Sequence, residues 1–172
     1  MSLQHLLPLV QRDPALADAY RRLAPGSPPV HLLDLPPAAR PAVAAAAIAA
    51  ARGVTLVVAA RADRAEAFAA AVCEYLPDDR QPDVWPGQEA LPYEQMPFDL
   101  ATSTQRVALL HRLRTWRQDK LPPPVVIATA HGLLQFLMPP AELGEHTRII
   151  QVGQRLDTEG LMTWALAHGY QV

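Results

Sequence analysis

The chain has 172 residues, half of them apolar and 19% charged, with 15 lysines and arginines against 17 acids and a formal net charge of −2. A folded chain of this size buries roughly 70% of the surface it exposes when unfolded, and this hydropathy excludes the low-hydrophobicity, high-charge regime of disorder. The mild negative balance argues against bulk polyanion binding, which needs a dense basic surface. The single cysteine, Cys73, forbids an internal disulfide and a thiolate zinc site.

The N terminus carries no basic run of the secretory kind, and no uninterrupted apolar stretch of about 18 residues occurs. A soluble, cytoplasmic protein with no membrane association is expected. Proline is over-used, at 18 residues, but clustered. Pro25, Pro28, Pro29, Pro36, Pro37, Pro41, Pro77, Pro82, Pro86, Pro92, Pro97 and residues 122–124 mark element boundaries, because proline donates no N–H and keeps its predecessor out of the α region.

In chain order, residues 1–25 read as a helical extension with Leu3, Leu6, Leu7 and Val10 on one face, then an amphipathic run through Leu16, Ala19, Tyr20 and Leu23. The apolar run 30–35 suits a buried strand. Residues 38–51, almost all alanine, suit a thin helix packed closely on a sheet. The β-branched run 54–59 predicts a strand covered on both faces, and 61–76 a helix. Val84-Trp85 is a short strand candidate, 86–100 a long irregular loop, and 102–117 a helix with Val107, Leu110, Leu113 and Trp116 inward. Residues 124–128 read as a strand and 130–137 as a short helix. Strands alternating with helices over 26–140 predict an α/β domain of three layers around a parallel sheet. Residues 141–172 read as the start of a second, small α+β domain, with a strand at 148–152, a turn at Gly153-Gln154, a helix at 158–168, and Gly169 as its C′ glycine.

The chemistry-bearing residues form no recognisable constellation. A phosphate site is sought at the first strand-to-helix turn of such a sheet, here Asp34-Leu35-Pro36-Pro37-Ala38-Ala39-Arg40-Pro41. That turn has no glycine, lysine or hydroxyl, three of its residues lack an N–H, and Asp34 would repel an anion, so ordinary nucleotide binding and any cofactor are not expected. The six histidines lack metal-ligand spacing, with His31 and His131 read as packed or capping side chains. Cys73 has no basic neighbour to activate it and reads as core. No serine sits on a glycine-flanked elbow. The basic cluster Arg106, Arg112, Arg114, Arg117 and Lys120, with Trp116 among them, reads either as a solvated helix end or as a nucleic-acid patch, in which Arg106, Arg114 and Arg117 would touch phosphate. In the long loop, Tyr93 and Phe98 read as plugs of its own packing or as partner contacts.

That loop carries a resemblance. Trp85-Pro86-Gly87-Gln88-Glu89-Ala90-Leu91-Pro92-Tyr93-Glu94, followed by Arg106 in a helix, resembles a region of the bacterial transcription-repair coupling factors. The run Val125-Val126-Ile127-Ala128-Thr129-Ala130 with Leu133-Leu134 is similar to that family's next strand and helix. Gly153-Gln154-Arg155-Leu156, Leu161 and Gly169-Tyr170 resemble the opening of the domain these factors share with the excision-repair protein UvrB.

The resemblance implies a degenerate RecA-like domain without a Walker motif over 26–140 and the first part of a UvrA-docking domain over 141–172. It implies a non-catalytic scaffold whose partners are UvrA and other domains of a parent protein, with ATPase activity and contacts to DNA and RNA polymerase residing in those other domains. The family's principal UvrA-contacting arginine and hairpin would fall past Val172, leaving Arg148 and Arg155 as the cations bordering the interface. Two other readings stand beside it. One is a small α/β enzyme or nucleotide-binding domain with its site at the strand ends near Asp34, Ala60 and Thr129. The other is a DNA-binding module using residues 106–120.

Overall fold

The structure is a computed structural model that describes residues 2–23, 26–87, 100–135 and 137–170. In chain order the helices and strands are α1 (Leu7–Arg12), α2 (Pro14–Arg21), α3 (Arg40–Ala50), β1 (Thr55–Ala59), α4 (Ala62–Cys73), β2 (Asp83–Val84), α5 (Leu100–Thr115), β3 (Val125–Thr129), α6 (Ala130–Leu133), α7 (Pro140–Glu145) and α8 (Thr158–Ala167). The chain divides into two compact units, residues 1–135 and 136–172.

The first unit is α/β. Its sheet is parallel with the order β1-β3-β2. β3 is central, and the register pairs Thr55 with Val125 through Ala59 with Thr129 on one side, and Asp83 with Val126 on the other. Alternation along β3 sends its side chains to opposite faces. Val125 packs with Ala45 and Ile48 of α3 and with Val72 and Leu76, while Ile127 packs with Ala65 and Ala69 of α4. On the other face, Val126 and Ala128 pack with Trp85 and with Leu109 of α5. Burial on both faces explains why the β3 sequence reads as a continuous apolar run rather than an alternating one.

α3 is built to lie close. Its alanines bring the helix against its neighbours, so that Ala45 and Ala46 are fully buried, and Pro41 sits in the first turn, where its missing N–H costs nothing. Arg80 closes the other end, donating from Nη1 to Ala49 O at 3.2 Å and from Nη2 to Ala51 O at 2.7 Å. These are the carbonyls that a helix C-terminus leaves unpaired. Gln81 does the same after α4, where its Nε2 reaches Leu76 O at 2.9 Å. The N-terminal helices are joined to this body by Leu3 N donating to Glu74 O at 2.7 Å, by Gln4 Nε2 on Leu76 O at 2.9 Å, and by Leu7 packing on the α3 core.

The expected strand at 30–35 does not form. Residues 31–34 are exposed and carry no secondary structure, Leu33 is 84% exposed, and Asp34 has φ +57°. The prolines explain this: Pro28 and Pro29 before the run and Pro36 and Pro37 after it remove ladder donors at both ends. The segment 34–41 is therefore not a strand-to-helix turn of the sheet. A 3₁₀ turn at Pro37–Ala39 leads directly into α3.

The second unit holds α7 and α8. Asp157 caps α8 by accepting from Gly160 N at 3.0 Å. At the other end Gly169, with φ +80°, sits at C′, where Gly169 N donates to Leu166 O and Tyr170 N to Ala165 O; this is the glycine closure expected from the sequence. The strand expected at 148–152 is absent. Ile149, Ile150 and Val152 are exposed, and Gln154 N donates to Gln151 O at 3.1 Å around Gly153, φ +85°. Among the described residues this unit contains helices and turns and no strand. No helix of the described residues is long and apolar enough to cross a membrane.

Candidate functional site

In a parallel sheet the loops at the carboxyl ends of the strands are where ligands are met. Here the ends of β2 and β3 are knitted together by Trp85. Its backbone N donates to Ile127 O at 2.8 Å, and its indole Nε1 to Gly132 O at 3.2 Å. Thr129, the last residue of β3, caps α6 by accepting from Gly132 N at 3.0 Å. Gly132 is held so tightly that an added Cβ would lie 3.1 Å from Trp85 Cδ1 and 3.2 Å from Thr129 Oγ1. Trp85 is 5% exposed, and its fixed indole is a shelf.

On that shelf lies Arg106. Its guanidinium carbon sits 4.8 Å from the indole centroid, and Nη1 donates to Gln135 Oε1 at 2.7 Å. The residue is 9% exposed. Burial pulls its pKa below the ordinary arginine value. A guanidinium over a desolvated indole gains about 2 kcal/mol, against a desolvation cost of several kcal/mol for a buried ion.

The expected basic patch is thereby divided. Arg106 points inward, Arg114 is exposed, and Arg117 is exposed and stacks on Trp116 at 5.1 Å. Arg112 is held by Asp83, Nη1 to Oδ2 at 2.5 Å. The inward stripe of α5 runs through Arg106, Leu109, Leu110 and Leu113, and Val107 is half exposed. Tyr93 and Phe98 lie outside the described residues. In the second unit, Arg148 is exposed and rests on the ring of Trp164 at 5.0 Å, and Arg155 is exposed. Trp164 also stacks with His168 at 4.3 Å, and His168 meets His146 edge-on at 4.8 Å. The strand-end site expected near Asp34, Ala60 and Thr129 is not assembled from strand ends. β1 and β3 end side by side at Ala59 and Thr129, but Asp34 is on no strand. His31 and His131 are exposed, so neither is packed, and the capping role next to His131 belongs to Thr129. Cys73 is half-buried, and burial raises its thiol pKa, in keeping with an unreactive side chain. Among the described residues no three His, Cys, Asp or Glu side chains gather as a metal-binding group.

A separate groove of about 580 Å³ runs along β2, lined by Glu66, Asp83, Val84, Gln105 and Arg112 among others. Burial raises the Asp83 carboxyl pKa above 3.8, and the Arg112 charge only partly opposes this. A carboxyl raised on folding binds its proton more tightly in the native state. Its contribution to stability is therefore present below about pH 3.8 and is lost as pH rises through the native value. Removing this titration by Asp83→Asn should flatten the fall in stability across that window, read by urea denaturation at a series of pH values. An unchanged pH slope would show that Asp83 is not the group responsible.

Trp85 and Arg106 were both visible in the sequence, one as a strand candidate and one as a surface cation. Their stacking across 21 positions was not. The chain matches no model of a known protein family, and no curated protein matches it.

Proposed function

We propose that this chain is a non-catalytic scaffold, a protein-interaction region of the kind that opens bacterial transcription-repair coupling factors, which helps bring UvrA and the nucleotide-excision-repair machinery to stalled transcription. In this reading residues 26–140 are a RecA-like layer that has lost its Walker motif, and 141–172 are the first part of the docking domain for UvrA. Arg148 and Arg155 border the contact. ATPase and translocase activity, and contacts with DNA and RNA polymerase, reside in other domains of the parent.

The observation that carries the reading is the segment 34–41. A working nucleotide loop leaves a strand, turns on glycines and offers backbone N–H groups at a helix N-terminus. Here the segment is an exposed, proline-rich approach to α3 with an acid in a left-handed conformation. The polar groups of the strand ends also favour a scaffold, because the Trp85 indole N–H is spent on the Gly132 carbonyl and the Thr129 hydroxyl oxygen accepts from the Gly132 N–H.

The test is retention of purified UvrA by the immobilised chain. Retention is expected, and the double variant Arg148→Glu/Arg155→Glu should weaken it at least about tenfold, which is 1.4 kcal/mol. If neither this chain nor one extended through the rest of the docking domain retains UvrA, the recruitment role is wrong.

A further inference from the structure

We propose that Arg106 anchors an oxyanion-binding site at the carboxyl edge of β2 and β3, which takes the phosphate or carboxylate group of a small acidic ligand. Arg21, Arg22, Arg61 and Arg112 each face an aspartate, and three of these four are largely exposed. Arg106 is the arginine taken most completely out of water, yet it takes part in none of the ion pairs among the described residues. Burial lowers its pKa, and among the described residues no carboxylate pairs with it.

The side chain is also under-used. A guanidinium has five N–H donors in a planar fork, and among the described residues Arg106 places one of them, from Nη1, on Gln135. Stacking on Trp85 satisfies the face of the cation but accepts none of its in-plane donors. A planar fork with donors to spare matches a carboxylate or phosphate in a two-point contact, which a lysine could not make. The indole beneath it is locked by its own bond to Gly132, so the fork is held in place before any ligand arrives. The location is where open parallel sheets receive ligands.

Nitrogen-15 NMR of the arginine Nε–H groups tests this on the whole chain, with inorganic phosphate and acetate titrated separately at constant ionic strength. The Arg106 signal should shift saturably, with a Kd on the order of 1 mM, while the signal of exposed Arg114 stays put. Tighter binding of phosphate assigns a phosphoryl ligand; tighter binding of acetate assigns a carboxylate. Arg106→Lys, which keeps the charge and loses the fork, should weaken binding at least about tenfold. The proposal is overturned if the Arg106 signal moves no more than that of Arg114, or moves without saturating, in both titrations. The wild-type titration stands even if a variant fails to fold, and a negative result leaves the UvrA reading untouched.

Discussion

Replacing Trp85 by alanine should destabilise the first unit by about 3–5 kcal/mol, the range for truncating a large buried aromatic. Three losses coincide. The core on the α5 face loses the side chain that packs with Leu109, Val126 and Ala128. The Gly132 carbonyl loses its indole donor. The Arg106 guanidinium loses the ring beneath it and is left as a buried cation whose one hydrogen bond among the described residues runs from Nη1 to Gln135. Typical domain stabilities are about 5–15 kcal/mol, so the variant should show a large fall in urea midpoint with little change in slope. Arg106→Leu should recover part of the loss in the Trp85→Ala background, because it removes the stranded charge. A loss below about 1 kcal/mol for Trp85→Ala would mean that the indole does not organise the strand ends.

The second large effect is expected at Ile127, where alanine should cost about 2–5 kcal/mol. Ile127 is fully buried at the centre of the middle strand. It packs on Ala65 and Ala69, with Val57, Phe68 and Val84 around it. Two of these neighbours are alanines with nothing to extend into the space, so the cavity should persist rather than collapse. Leu56→Ala is the control: Leu56 is on the same sheet but half exposed on the edge strand, and should cost well under half as much. Equal costs, measured by the same denaturation, would contradict the placement of β3 between β1 and β2.

Much of this fold is legible wherever a pattern is local. The β-branched runs around Val57 and Ile127 become β1 and β3 within a residue of their expected bounds, but β1 is covered on one face only, with Leu56 and Val58 half exposed, because no described helix lies over that side of the edge strand. The alanine-rich helix and the closing glycine at 169 follow from propensity and capping alone. Residues 30–35 and 148–152 show the limit. Both have the composition of strands, but a strand exists only where another chain segment offers its backbone, and no described segment pairs with either. The candidate site was hidden for a related reason. In sequence Arg106 reads as one cation of a basic cluster, a solvated helix end or a phosphate patch, and only the crossing of α5 over the residue that follows β2 turns it inward. A tryptophan shelf for a distant arginine leaves no periodic signal, and the nearest hint was an indole placed beside a strand end.

Residues 30–35 lie off the sheet, which removes any strand-to-helix cradle for phosphate ahead of α3. Amide hydrogen exchange measures this most directly. The amides of His31, Leu32, Leu33, Asp34 and Leu35 should exchange at close to the free-chain rate, while those of Val126 and Ile127 exchange only through global opening. Protection of 31–35 matching that of β3 would place a further strand there and contradict the account.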